Sequence, residues 1–206
     1  VEELNGLIQE ILDFRKAEDA GFSHTHIRRV SVSSLLRTQF EWFYPLSEQH
    51  QIQFKIDAPK ELYWNTDSVY FKKILANLIS NAFKYTEDGG TVRISLHEEE
   101  NFLVLKVYNT GKGIEEADMQ NIFDRYRILG TMDNDDNRQN TTRNGLGLFI
   151  CHSLVQSLGG KIDIESEVGQ YAEFTVTLPF GIVEETSDNT IDEEIPVSLP
   201  SPHTDI

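Results

Sequence analysis

From position 67 to position 84 the apolar residues Phe71, Ile74, Leu75, Leu78, Ile79 and Ala82 recur every three or four positions. That spacing lays one apolar stripe along an α-helix, and Asp67 stands where an N-cap is expected. Positions 91–97 and 102–108 alternate in period two instead, around the polar stretch Glu98-Glu99-Glu100-Asn101, which predicts an antiparallel hairpin. Weaker versions of the two periods predict helices over 34–49 and 146–158, the latter stopped by Gly159-Gly160, and strands over 51–56, 61–64, 161–166 and 173–178. Leu4, Ile8, Ile11 and Leu12 mark a further helix over 3–16 that ends at Asp19-Ala20-Gly21. A lone helix of this kind has to bury its stripe against something. Helices mixed with antiparallel strands predict an α+β class, arranged as a two-layer α/β sandwich with a preceding helix fragment.

Two stretches carry neither period. Positions 127–144 are rich in Asn, Asp, Thr, Gln and Arg and read as a long loop, longer than the roughly 12–15 residues beyond which loops in compact domains tend to be functional or disordered. Positions 182–206 hold seven acidic residues, three prolines and no Lys or Arg, a composition that cannot bury a core. The expected organisation is therefore a helix end over 1–20, a linker over 21–30, one folded domain over 31–181 and an acidic linker over 182–206.

Charge narrows the partners. The 206-residue chain has a formal net charge of −16 and no basic run, which argues against a nucleic-acid backbone as ligand. Cys151 is the only cysteine, so no disulfide can form within the chain, and its apolar neighbours Leu146-Gly147-Leu148-Phe149-Ile150 place it in a core. No stretch reaches the roughly 20 apolar residues of a membrane-spanning helix. The segment is expected to be cytoplasmic and to make no membrane contact, with any anchor of the parent protein lying elsewhere.

Three short stretches carry candidate chemistry. Asn77, Asn81 and Lys84 follow at i, i+4 and i+7, within about 60° of one another around a helix, at the rim of the apolar stripe. Mg2+ takes oxygen ligands, mostly from phosphates and water with only one or two protein groups. An Asn carbonyl oxygen suits that role, and an ammonium offsets phosphate charge. The same three residues are also compatible with an ordinary solvated helix face. Asn109-Thr110-Gly111-Lys112-Gly113-Ile114 leaves a predicted strand through glycines that let a ligand approach the backbone. Asn144-Gly145-Leu146-Gly147-Leu148 opens a helix, where free N–H groups and the helix dipole favour anions.

Taken in this order and at this spacing, these stretches resemble the histidine-kinase ATPase family, in the superfamily shared with gyrase, Hsp90 and MutL, over roughly 31–180. NLISNAFKYT at 77–86 resembles its N box and NTGKGI at 109–114 its first glycine box. IFDRYR at 122–127 resembles its phenylalanine box and NGLGLFI at 144–150 its second glycine box. The resemblance implies the Bergerat-type ATP-binding fold and binding of ATP with Mg2+. Asn81 is then the metal ligand, and Asn77 occupies the place where ATP-hydrolysing relatives keep a general-base Glu. Lys84 and Tyr85 fall at the nucleotide rim, and Lys84 joins Asn77 as a candidate for the transfer step. Asn109, Gly111, Gly113 and Ile114 fall at the adenine side, while Gly145, Leu146, Gly147 and Leu148 fall at the phosphates. Phe123, Arg125 and the 127–144 loop resemble the lid over the nucleotide.

An amide cannot accept a proton, which fits an enzyme that hands the γ-phosphoryl to a histidine rather than to water. Three positions depart from the family pattern. Asn109 replaces the usual adenine-reading Asp, and its amide oxygen can still accept from the adenine amino group. Arg143 replaces the first glycine of the second glycine box, and Gly169-Gln170-Tyr171 replaces a glycine pair in the last hairpin. None of His24, His26, His50, His97, His152 and His203 has the acidic residue and proline that follow the family's phosphoacceptor. The resemblance therefore implies an acceptor on a dimerisation helix outside this chain, a homodimer in the full-length protein, and a response-regulator receiver domain as the next partner, fused or separate. A nucleotide-binding regulatory or scaffold module, and a hydrolytic ATPase of the same superfamily, stand as alternatives.

Overall fold

The computed structural model describes residues 25–119, 121–124 and 147–182. The expected first helix, the 127–144 loop and the acidic tail beyond 182 lie outside them. In chain order the elements are β1 (Arg28–Ser31), α1 (Val32–Gln49), β2 (Gln53–Asp57), β3 (Tyr63–Thr66), α2 (Ser68–Tyr85), β4 (Thr91–Glu99), β5 (Phe102–Thr110), α3 (Glu116–Met119), α4 (Gly147–Ser157), β6 (Lys161–Glu167) and β7 (Tyr171–Pro179). Five strands form one sheet in the order β2-β4-β5-β7-β6, with α2 and α4 packed on it. The α+β two-layer sandwich is thus the observed architecture.

The alternation in the central strands becomes the two faces of the sheet. Val92, Ile94 and Leu96 of β4, Leu103, Leu105 and Val107 of β5, and Ala172, Phe174, Val176 and Leu178 of β7 all point into the core. The stripe of α2, with Phe71, Ile74, Leu75, Leu78, Ile79, Ala82 and Phe83, is buried against them. Each Val, Leu, Ile or Phe among them contributes about 1.5–3 kcal/mol by leaving water, and the two alanines contribute less. The β4–β5 hairpin pairs Glu99 with Phe102, so the turn is only Glu100-Asn101, both at positive φ (49° and 68°). That is the geometry of a two-residue turn whose twist matches the strands.

Three details differ from the sequence expectation. The pair β2–β4 is parallel, because the chain crosses over through β3 and α2 before returning as β4. The short strand β1 was not legible, since Arg-Arg-Val-Ser has no alternation; its order comes from pairing with β3, Arg28 opposite Thr66 and Ser31 opposite Tyr63. Residues 28–30 of the expected linker are thus strand. Helix α1 begins at Val32 rather than at 34, and the Val32 and Ser33 amides both point to the Leu62 carbonyl. Pro45 lies inside α1 on its exposed side, where the backbone acceptor it leaves unpaired can turn to water.

Asp67 ties these parts together. Its Oδ1 accepts from the amides of Val69 (2.8 Å) and Tyr70 (3.1 Å), capping α2, while Oδ2 accepts from the His26 amide (2.9 Å) ahead of β1. The residue is 3% exposed, so water cannot replace it. On the other side of β3, Trp64 Nε1 donates to the Pro179 carbonyl (3.0 Å), and Asn65 exchanges two hydrogen bonds with Gly181. Replacing Asp67 by Ala removes a cap worth about 1–2 kcal/mol and leaves three part-buried amides, those of His26, Val69 and Tyr70, without their acceptor. A urea titration should therefore show Asp67→Ala with a lower midpoint and an unchanged slope.

Candidate functional site

Helix α2 has a second job at its edge. Asn77 and Asn81 are half-buried there and Lys84 is exposed in its last turn, as the i, i+4, i+7 spacing requires. Helix α4 packs alongside. A Cβ added to Gly147 would lie 3.8 Å from Asn77 Oδ1 and 3.9 Å from its Cγ, so the first described residue of α4 stands directly against the amide. Leu148, next in the chain, is half-buried against the core. At the other end of α2, Lys84 Nζ lies 5.5 Å from the ring centre of Tyr85, close enough for a cation–π contact.

The exit of β5 closes a second side. Gly111 approaches the Tyr85 carbonyl so closely that any Cβ would collide with it, and its amide donates to the Gln170 carbonyl (3.0 Å). Gly113 has φ 65°, and its absent Cβ leaves room for the Glu167 carbonyl. Only glycine fits both the left-handed backbone and the approach. Ile114 follows, its amide donating to Ser166 Oγ (2.8 Å), which in turn donates to the Tyr171 carbonyl (2.6 Å). The loop 109–114 is thereby wedged between the end of α2 and the β6–β7 turn. Asn109 is 5% exposed in β5, and its Nδ2 donates to the Thr110 carbonyl (3.1 Å). With that nitrogen engaged, the amide oxygen lies on the opposite side of the planar group.

Phe123 is not placed at this edge but against the core. It stacks on His152 of α4 (5.4 Å between ring centres, 19° between planes) and meets Phe174 edge on (6.4 Å, 73°). It holds residues 121–124 to the sandwich, and His152 serves as its stacking surface. Arg125, Gly145 and Leu146, together with the departure Arg143, lie outside the described residues. Tyr171, another departure, stacks on Tyr108 (5.5 Å) and donates to Glu165 (2.9 Å); that hydrogen bond raises its phenol pKa, with further upward contributions from the acidic neighbours.

Two contributors were not singled out from the sequence. Ser166 lies 52 positions from Ile114, and nothing in its surroundings marks it. Cys151 was read only as core, and it sits one helical turn beyond Gly147, against the same helix α2. Burial pushes its thiol pKa up to about 12, offset in part by a hydrogen bond from the Asn77 side chain. Its Sγ also lies 3.7 Å from the Ile74 carbonyl, to which the thiol donates.

The donor set at the α2 edge consists of amide oxygens, which suit a hard cation such as Mg2+. Among the described residues no group of three His, Cys, Asp or Glu could hold a metal by itself. A cation here would take most of its ligands from water or a bound phosphate. No described helix is long and apolar enough to cross a membrane.

Comparison with known proteins points one way. The family described as histidine kinase-, DNA gyrase B-, and HSP90-like ATPase matches residues 66–182. The chain is 30% identical over 203 residues to the sensor protein EvgS of Escherichia coli (strain K12), covering 96% of this chain and 16% of that protein. It is 30% identical over 176 residues to the sensor protein SrrB of Staphylococcus aureus (strain NCTC 8325 / PS 47), covering 85% of this chain and 29% of that protein. The chain thus spans less than a third of either relative. Among solved structures, the catalytic domain of histidine kinase ThkA superimposes with a TM-score of 0.65 at 25% identity, covering 75% of this chain and 95% of that one. Full-length ShkA in complex with AMPPNP superimposes with a TM-score of 0.70 at 25% identity, covering 86% of this chain and 36% of that one.

Two outcomes test the geometry directly. Gly113→Ala should destabilise the fold by at least about 1–2 kcal/mol through left-handed strain alone, with the Glu167 collision adding to it, as read in thermal or urea unfolding. Because the Cys151 pKa is raised from 9.0 to about 12, its contribution to stability is complete below pH 9 and lost as pH rises towards 12. The difference in unfolding free energy between the natural protein and Cys151→Ser should shrink by up to about 1.4 kcal/mol per pH unit across that window.

Proposed function

The chain belongs to the histidine kinase-, DNA gyrase B- and HSP90-like ATPase family, and on that premise we propose that it is the catalytic domain of a two-component sensor histidine kinase. It binds ATP with Mg2+ and transfers the γ-phosphoryl to a histidine on a dimerisation helix outside this chain, for relay to a response-regulator aspartate. The observation that carries this reading is the amide at position 77, held against Gly147 at the start of α4. A hydrolytic relative needs a base at that place, and an amide has no basic lone pair to offer water. The 30% identity to two sensor proteins supports the same branch of the family, and the AMPPNP complex of ShkA supports an adenine nucleotide as ligand.

In this reading the adenine lies beside Asn109, Gly111, Gly113 and Ile114, whose backbone is held by Ser166 and the Gln170 carbonyl. The Asn109 oxygen accepts from the adenine amino group. Lys84 and Tyr85 border the nucleotide, with Lys84 placed to offset charge on the transferring phosphoryl group. Gly145, Leu146, Gly147 and Leu148 present helix-start amides to the phosphates. Asn81 would hold Mg2+, which supplies charge neutralisation at the phosphates when bound. Phe123 anchors the near end of the lid that carries Arg125. Transfer through a loose transition state asks the protein mainly for positioning and charge stabilisation. The P–O bond to ADP breaks, a P–N bond to the imidazole forms, and the imidazole proton leaves to water.

The rest of the parent follows as part of the same proposal. Residues 1–20 end a dimerisation helix that makes the full-length protein a homodimer, 21–30 link it to the ATP-binding domain over 31–181, and the acidic 182–206 segment leads towards a receiver domain. The segment works in the cytoplasm, and any membrane anchor of the parent lies outside it.

Calorimetry should show ATP binding strengthened by Mg2+, and Asn81→Ala should weaken the Mg2+-supported binding by on the order of tenfold, about 1.4 kcal/mol. Mixing the domain with a separately prepared dimerisation domain and ATP should yield phosphohistidine on that domain. Tight ATP binding without phosphohistidine would instead favour a regulatory module, and steady hydrolysis without any acceptor would favour an ATPase.

A further inference from the structure

The sheet register sets Asn109, Ala172 and Ser166 side by side on the neighbouring strands β5, β7 and β6. Directly paired residues put their side chains on one face, here the face that packs against the helices, where Asn109 and Ala172 are buried and Ser166 is half-buried. The row therefore carries a polar group at either end, two strand spacings or roughly 10 Å apart, with a single methyl group between them.

The Ser166 hydroxyl has two partners. It accepts from the Ile114 amide (2.8 Å) and donates its one hydrogen to the Tyr171 carbonyl (2.6 Å). Both directions are fixed, because an amide N–H only donates and a carbonyl only accepts. Ile114 follows Asn109 closely in sequence, so this bond draws the chain that leaves β5 across the start of β7 to β6. Two backbone bonds run beside it, from the Gly111 amide to the Gln170 carbonyl (3.0 Å) and from the Gly169 amide to the Lys112 carbonyl (2.7 Å). Both end in the turn 167–170, whose residues are exposed and where water competes. The Ser166 bond is part-buried and is the side-chain link among the three. Without the hydroxyl, the Ile114 N–H and the Tyr171 carbonyl each lose a partner, and the loop is left to the two bonds at the exposed turn.

We propose that Ser166 is a positioning residue for the base side of the nucleotide site, its hydroxyl holding the Ile114 backbone so that Asn109 and Ile114 stand on either side of Ala172 at a fixed separation. That the space between them receives a base rests on the functional reading above; the hold on Ile114 does not. Ser166 acts through Ile114 and touches no nucleotide. Its effect is confined to the base, because the phosphate side is built on α2 and α4, which the hydroxyl does not contact.

Shape-matched variants isolate the hydroxyl. Ser166→Thr keeps it, Ser166→Val removes it at nearly the same volume, and both β-branched side chains suit a strand. Ser166→Ala takes the place of the Val variant if that one does not fold. In nucleotide-free, 15N-labelled protein, hydrogen exchange at the Ile114 amide should be on the order of tenfold faster in the Val and Ala variants than in the natural protein, and near the natural rate in the Thr variant. Calorimetry then compares ADP and ATP, each with Mg2+ and with EDTA. Both nucleotides should bind about fivefold more weakly to the Val and Ala variants, with the strengthening by Mg2+ unchanged within about twofold, and the Thr variant should bind as the natural protein does. Ile114 exchange that is unchanged without the hydroxyl overturns the proposal. Unchanged nucleotide affinity beside a lowered urea midpoint also overturns it, since that marks Ser166 as a stability contact alone, and so does a loss seen only with Mg2+. If the natural protein binds neither nucleotide, the functional reading fails, while Ile114 exchange still decides whether Ser166 holds the loop.

Discussion

Burying the apolar stripe of α2 against the five-stranded sheet is the constraint under which every other part of the molecule is arranged. Phe71, Ile74, Leu75, Leu78 and Ile79 are fully enclosed, so the helix can neither rotate nor slide without exposing several of them. Its polar edge is thereby fixed as well, and Asn77, Asn81 and Lys84 inherit the rigidity of the core. A site built on a helix in this way loses little freedom when a ligand arrives.

The remaining walls are set by close approach. Gly111 and Gly113 let the β5 exit lie against the Tyr85 and Glu167 carbonyls, and Ser166 holds Ile114 to the last hairpin. Three elements distant in sequence therefore meet around one edge of α2. On its other flank α4 brings Gly147 to Asn77 and Cys151 to the Ile74 carbonyl. The contacts combine small residues, which permit approach, with single hydrogen bonds, which set orientation, and packing alone would supply only the first.

Beyond the site, Asp67 links the cap of α2 to the chain ahead of β1, and Trp64 and Asn65 of β3 bind the segment that leaves β7. The incoming and outgoing ends of the domain are consequently anchored on the same short strand.

Local periodicity was enough to determine α2 with its cap, the β4–β5 hairpin, α4 with its glycine stop, and the last two strands, because helix and strand alternation are properties of neighbouring residues. The shared face of Asn77, Asn81 and Lys84 on α2 and the glycine exit of β5 were legible for the same reason, as short local patterns. Strand β1, the parallel pairing of β2 with β4 and the order of the sheet were not, since each depends on partners tens of residues away and leaves no local period. The packing of Phe123 against His152 and Phe174 was not legible either, because the partners of a large aromatic ring are supplied by elements distant in sequence. The placement of Cys151 belongs to the same class: its sequence neighbours mark it as buried, and only the packing of α4 on α2 brings its sulfur to the Ile74 carbonyl. Composition determines that a side chain leaves water, whereas the tertiary structure decides what it meets there.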